Sequence, residues 1–280
     1  MAERVAHWKV NLDDPRAPPE ELWARMSPEQ RAEVVESLPS EFPPSEANPP
    51  EGDHHYAAYS TARETLSRWF RERGRNVYVS GNLPVYYPDE PMFSPDVVAV
   101  LDVDPHPRPS WIVSHEAGRG LDFALEVIVS GRRRKDLHDN VSRCARLGIV
   151  EYFVFDFTRQ TLVAFRLAEP GGYERQLPQA GHYRSEVLGL NLSLDGGRLR
   201  FSYGDAALPA PGELLSRLSD LANDAEQRAA ELARSLEEEQ RRREDEQRRR
   251  EDEQRRREVA EAEVERLRVE IEALRRRGDS

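Results

Sequence analysis

Three strand patterns and one helix pattern follow one another between residues 94 and 156, and this order limits the folds open to the chain. A strand pattern begins at Asp96, and residues 122–129 form a second in which alternate residues take opposite faces. Residues 132–147 have the pattern of a helix ending at Gly148, and residues 151–156 read as a buried strand. Short strands with turn signals at 171–172 and 196–197 follow. The order predicts a mixed α/β fold.

Two of these strands carry a carboxylate. Asp96 lies at the edge of the first, and Glu126 lies inside the second, on a face shared with Ala124 and Ile128. A carboxylate among apolar neighbours is costly unless a metal ion or a partner group satisfies it. Adjacent strands could bring both acids to one cation, and proteins commonly hold Mg²⁺ by one or two carboxylates plus phosphate and water. Such a metal could activate water and stabilise charge on a phosphodiester.

The segments that contain these acids resemble a known family. SPDVVAV (94–100), LDFALEVIVSGRRRKDL (121–137) and ARLGIVEYFVFD (145–156), with MSPEQ (26–30) before them, are similar in content, order and spacing to the Uma-type restriction endonuclease family of the PD-(D/E)XK nuclease superfamily. The resemblance implies a restriction-endonuclease-like sheet flanked by helices and a centre that uses Mg²⁺, or alternatively Mn²⁺. It also implies Asp96 and Glu126 as catalytic metal ligands and DNA as the substrate.

The chain departs from the family pattern at the catalytic lysine. The superfamily pattern has lysine two residues after the glutamate, where this chain has Ile128, and the commoner family pattern has it in the next helix, at Asn140 here. Lys135 is the remaining candidate, in a chain with only one other lysine. Lysine is a compact charge that can approach an attacking water, whereas arginine cannot be deprotonated. The alternative is that Lys135 is one more solvated or phosphate-contacting cation.

Other candidates surround this centre. Arg132, Arg133 and Arg134 form the obvious basic cluster and could bind the DNA backbone without reading sequence. Glu64, on a helix predicted over 55–73, is a possible third acid or, alternatively, a solvated acid near Arg68. His54 and His55, at the start of that helix, could meet phosphate or simply be solvated.

Charge and cysteine content narrow the function classes. The net charge is −11, and the body before residue 213 is itself acidic, so any surface that binds nucleic acid must be local. The single cysteine, Cys144, excludes an internal disulfide and a multi-cysteine zinc site and is expected to be buried. No apolar run is long enough for a membrane span and no signal-peptide core is visible, so we expect a cytoplasmic protein.

The C-terminal region predicts a long helix. No residue from Glu213 to Gly278 breaks a helix, and QRRREDE repeats every seven residues through 240–257. A strict seven-residue repeat predicts a coiled coil, here a homodimer. The alternative is a lone charged helix supported by i,i+4 ion pairs. One heptad frame places these residues at its core: Leu218, Ala222, Ala225, Ala229, Leu232, Leu236, Glu239, Arg243, Glu246, Arg250, Glu253, Arg257, Ala260, Val264, Leu267, Ile271 and Leu274.

These patterns divide the chain into a proline-rich extended segment (1–25), a nuclease-like domain (26–205) and a long charged coiled-coil helix (206–280). The favoured function is a Mg²⁺-dependent endonuclease that hydrolyses DNA phosphodiesters, with Lys135 orienting the attacking water. The alternative is a catalytically inactive nuclease fold that acts as a binding or assembly module, which the absent lysine and the acidic body favour.

Overall fold

The protein is described from a computed structural model, which covers residues 8–41, 52–129, 135–169 and 172–278. The chain divides into two compact units, Met1–Glu213 and Leu214–Ser280. The mixed α/β class and the long C-terminal helix predicted from the sequence are both confirmed.

The helices are α1 (Glu20–Arg25), α2 (Pro28–Ser37), α3 (Gly52–Glu72), α4 (Asn140–Arg146) and α5 (Pro211–Gly278), with a π-helical turn at Lys135–Asp139 before α4. The strands are β1 (Val77–Ser80), β2 (Val85–Tyr86), β3 (Val97–Leu101), β4 (Trp111–Ile112), β5 (Phe123–Ile128), β6 (Glu151–Asp156), β7 (Thr161–Glu169), β8 (Gly172–Gln176), β9 (Tyr183–Ser185), β10 (Leu190–Asp195), β11 (Arg198–Tyr203) and β12 (Ala206–Ala207).

A six-stranded sheet of order β1-β3-β5-β6-β7-β8 forms the centre of the first unit. Only the β5–β6 pair is parallel, and the π-helical turn and α4 make the crossover between these strands. A second sheet has the order β12-β11-β10-β9, and β2 and β4 form a short parallel pair. The two hairpins predicted at the glycine pairs are β7–β8 and β10–β11.

The central strands β3, β5 and β6 are buried on both faces of the main sheet, which explains their nearly continuous apolar sequences. Along β3, Val97 and Ala99 join the core formed with α3 and strands β10 and β11. Val98 and Val100 join the opposite core, which includes residues of α4. The first residues of β3, next to Asp96, therefore lie between α3 on one face and α4 on the other. This places side chains of both helices near the predicted acids.

The proline-dense N-terminal segment differs from the extended chain predicted for residues 1–25. Residues 20–25 form α1, which follows the N-cap residue Pro19. Trp23 on α1 is 5% exposed and packs in a third core with Tyr86 and Ile112. This burial adds to the favourable placement of Glu20 and Glu21 in the first turn and Arg25 in the last. Ser27 caps α2, and a capping box with Gln30 begins this helix.

Helix α5 is unbroken over 68 residues. Its side chains are exposed from Leu214 to Ile271 except at the first few positions, and ion pairs four residues apart lie along its charged centre. Among the described helices, none combines the length and the apolar content that crossing a bilayer requires.

Candidate metal-binding site

The two predicted acids face each other across neighbouring strands. Strands β3 and β5 are antiparallel with Val97 opposite Leu125, and the same register places Asp96 opposite Glu126. The Asp96 backbone N–H donates to Glu126 Oε2 at 3.4 Å. In return, Asp96 Oδ2 accepts from the Val127 N–H at 2.7 Å. The structure thus brings together the two residues that the sequence analysis ranked first.

Both acids are largely withdrawn from water. Asp96 is 8% exposed and Glu126 is half-buried. Glu126 lies on the β5 face of Ala124 and Ile128, which belong to the core that includes α4 residues, as the alternation of β5 predicted. Two carboxylates close together in such a place disfavour each other's ionised form unless cations or hydrogen-bond donors compensate.

His55 supplies one such donor, and the sequence analysis did not assign it to the site. Its Nε2 lies 2.9 Å from Asp96 Oδ1, and its side chain is 15% exposed. The neighbouring His54 instead stacks on Phe157, with ring centroids 4.7 Å apart. A sequence signal for His55 existed, because it lies four residues before Tyr59 and extends the apolar stripe of α3 by one turn.

Asn140 supplies a second donor. Its Nδ2 donates to Glu126 Oε1 at 3.3 Å, and the residue is 5% exposed. Asn140 is the first residue of α4, directly after the π-helical turn, a feature that occurs frequently at functional sites. The amide therefore contacts the glutamate from the position where the resembled family carries lysine.

The remaining predicted site residues have different outcomes. Lys135 begins the π-helical turn, one turn before Asn140, but its side chain lies outside the described part of the structure. Arg132, Arg133 and Arg134 also lie outside the described residues. Glu64 is exposed and pairs with Arg63 at 3.7 Å, and no described contact joins it to Asp96 or Glu126.

All four carboxylate oxygens of the pair have a protein donor nearby. His55 and the Val127 N–H contact Asp96, and Asn140 and the Asp96 N–H contact Glu126. A carboxylate oxygen has two lone pairs, so each retains capacity to bind a cation. Within the described residues no cluster of three or more His, Cys, Asp or Glu side chains could hold a metal. Of the described residues, the oxygens of Asp96 and Glu126 could hold a hard cation, which would complete its shell with water and phosphate.

The negative charge of the site extends to Cys144, one turn after Asn140 on α4. Burial raises the pKa of the Cys144 thiol far above its usual range, and the Glu126 carboxylate raises it further. The thiol is 2% exposed. It is the inert buried side chain that the sequence analysis predicted, since a reactive cysteine requires a lowered pKa and access to solvent.

The fold and the paired acids together define a nuclease-like protein, and the comparisons give the family. The Uma2 family model, described as "Putative restriction endonuclease", matches residues 45–196, more than half of the chain. The chain therefore belongs to this family. The match covers His55, Asp96, Glu126 and Asn140.

Among solved structures, the chain is similar to the crystal structure of a protein described as a "putative nuclease belonging to DUF820" from Anabaena variabilis ATCC 29413. The two are 13% identical, with a TM-score of 0.40, over 50% of this chain and 78% of the other. No curated protein matches the chain.

Proposed function

We propose that the protein is a divalent-metal-dependent endonuclease that hydrolyses DNA phosphodiester bonds at the Asp96–Glu126 pair, with Mg²⁺ or Mn²⁺ as the cofactor. The observation that carries the proposal is the register of β3 and β5, which sets the two acids opposite each other. The Asp96 N–H donates to the Glu126 carboxylate, and the Asp96 carboxylate accepts from the Val127 N–H. Membership of a restriction-endonuclease family supports the reaction class.

Each described residue of the site has a physical role in this proposal. Asp96 and Glu126 would hold the cation, and the Val127 N–H and Asn140 fix the carboxylate orientations before it binds. His55 orients Asp96 from α3 and, when protonated, offsets part of the negative charge. A bound cation would supply charge stabilisation for the phosphate and lower the pKa of its water.

The attacking water needs a further group to orient it. Lys135 is our candidate, because its backbone lies one π-helical turn before Asn140, whose side chain contacts Glu126. Lysine at this point would add a positive charge close to the phosphate. Arg132, Arg133 and Arg134 precede it in sequence and would contact the DNA backbone.

One observation favours the second function, an inactive module that binds without cutting. Asn140 stands where the resembled family carries lysine, and its neutral amide contacts Glu126 directly. An amide can hold the glutamate in place but cannot supply a positive charge to the phosphate. A chain with this substitution could retain metal and DNA binding while losing cleavage.

A plasmid-nicking assay with Mg²⁺ or Mn²⁺ separates these functions. We expect the wild type to nick, and Asp96→Asn, Glu126→Gln and Lys135→Ala to lose activity. Lys9→Ala is the control, because it removes the chain's other lysine, which is exposed and lies outside the proposed site. A wild type that binds the metal in calorimetry but does not cut, with Asn140→Lys gaining cleavage, would overturn the endonuclease proposal in favour of the module. Absence of metal binding would likewise overturn the endonuclease proposal.

A further inference from the structure

Helix α5 carries apolar side chains exposed at both ends of its heptad core. Leu232 is 72% exposed, Leu236 is 60%, Val264 is 49% and Leu267 is 45%. Hydrophobic side chains spaced at a strict heptad over this length indicate that another helix covers them. Because the charged centre follows the same frame, a second copy of the helix must also match its charges.

Parallel pairing in register fails this requirement. It sets each a position against the same a position of the second copy, and each d against d. Arg243, Arg250 and Arg257 occupy a, so each would face itself, and Glu239, Glu246 and Glu253 at d would do the same. Six successive core layers would then hold like charges, which are costly in a partly desolvated seam.

Antiparallel pairing reverses this result, because it sets a against d. If Leu236 lies opposite Ala260 of the second copy, every charged layer joins an arginine to a glutamate. The layers are Glu239 with Arg257, Arg243 with Glu253, and Glu246 with Arg250, each occurring twice by symmetry. The same arginines and glutamates already pair within one helix, as at Glu239–Arg243 (2.6 Å), so they are held along the seam.

The flanking layers match in this same register. Apolar residues face apolar residues throughout, and large residues generally face small ones, as close packing prefers. The layers are Leu236 with Ala260, Leu232 with Val264, Ala229 with Leu267, and Ala225 with Ile271. A shift of one heptad in one direction sets Leu236 against Glu253 and Leu232 against Arg257, so the charge pattern selects a single register.

Charged residues beside the seam contribute less to the choice of helix orientation than the charged core layers do. At the flanks, antiparallel pairing sets Glu226 near Arg268 and Arg228 near Glu270, which is favourable. At the centre, antiparallel pairing sets Arg242 near Arg256, which is unfavourable. Parallel pairing would instead gain favourable contacts such as Glu263–Arg268. These rim positions remain in solvent, where single ion pairs contribute little and salt screens them. The core layers therefore decide the orientation.

We propose that two copies of the chain associate through α5 as an antiparallel coiled coil with Leu236 of one copy opposite Ala260 of the other. Residue 214 of the two copies would then be about 100 Å apart, at 1.5 Å per residue. If the proposed function holds, the two active sites belong to units whose chains enter the coiled coil at its opposite ends.

Disulfide trapping in the full-length chain tests orientation and register without any measurement of activity. A disulfide requires Cα atoms within about 7 Å. We expect a mixture of Leu236→Cys and Ala260→Cys chains to form a cross-linked dimer on oxidation, with neither variant doing so alone. The wild type is the background control, because its only cysteine is buried. Self-cross-linking of Leu236→Cys would establish parallel pairing and overturn the proposal, and efficient cross-linking of Leu236→Cys with Glu253→Cys would overturn the register.

Sedimentation tests the association itself. We expect a concentration-dependent dimer that Leu267→Asp dissociates, since Leu267 faces Ala229 in the seam. Val269→Asp is the matched control, because Val269 is 60% exposed on the same turn but lies outside the core frame, and it should remain dimeric. A wild type that stays monomeric at high concentration, or equal effects of the two variants, would refute the proposed seam.

Discussion

Removing the Asp96 carboxylate should destabilise the first unit chiefly through the backbone of β5. The Val127 N–H donates to Asp96 Oδ2 at 2.7 Å, and Val127 is 2% exposed. In Asp96→Ala this donor has no acceptor and no access to water, which costs about 1–3 kcal/mol. His55 also loses its partner, but its side chain is 15% exposed, so water can replace part of that contact.

Asp96→Asn is the matched variant, since its amide oxygen can still accept from Val127. Both substitutions remove the negative charge beside Glu126, so the relief of repulsion cancels when the two are compared. We therefore expect Asp96→Ala to be less stable than Asp96→Asn by about 2 kcal/mol. For a unit of this size that corresponds to about 4–8 °C in Tm.

Tryptophan fluorescence during urea unfolding measures this difference cleanly. All four tryptophans precede residue 213, so the signal reports the first unit and not α5. Calorimetric titration of the same samples should show Mg²⁺ or Mn²⁺ binding to the wild type and to neither variant. Equal stability of the two variants would refute the structural role of the Val127 hydrogen bond, and metal binding by either would refute Asp96 as a ligand.

Three further expectations follow from described contacts. His55→Ala should lower metal affinity and nicking, whereas His54→Ala, which loses only stacking on Phe157, should leave affinity unchanged; equal effects in calorimetry would count against His55 as a site residue. Glu151 is 1% exposed and contacts Ser185, Arg166 and the Glu186 N–H. Glu151→Ala should therefore lower the free energy of unfolding, measured in urea, by about 3–5 kcal/mol. Asp205→Ala, at an exposed position, should leave it almost unchanged. Burial raises the pKa of Cys144, so its thiol should stay protonated and resist a thiol reagent at pH 8 until urea unfolds the first unit; rapid reaction of the folded protein would contradict this burial.

The observed contacts of the site residues show which of them the local sequence pattern could predict. Strand alternation, which is a local signal, and the family resemblance together predicted that Asp96 and Glu126 could share one cation. The same signals identified Asn140 as a substitution but not its contact with Glu126, which depends on the π-helical turn before α4. His55 was missed because its contact with Asp96 arises only when α3 packs against the sheet.

The N-terminal segment and α5 show the same limit on what the local sequence can predict about the fold. The prolines before residue 20 led to a prediction of extended chain through residue 25, whereas residues 20–25 contain none and form α1, which the burial of Trp23 against Tyr86 and Ile112 stabilises. For α5 no tertiary packing competes with local preference over most of its length, so the seven-residue repeat was sufficient to predict an unbroken helix. The sequence by itself determined the order of strands and helices along the chain and the long C-terminal helix, because each depends on the spacing of neighbouring residues. The pairing of β3 with β5, which are separated in the chain by β4, set Asp96 opposite Glu126. Only the tertiary structure decided which helices bring His55 and Asn140 to those acids, because that depends on how distant surfaces pack.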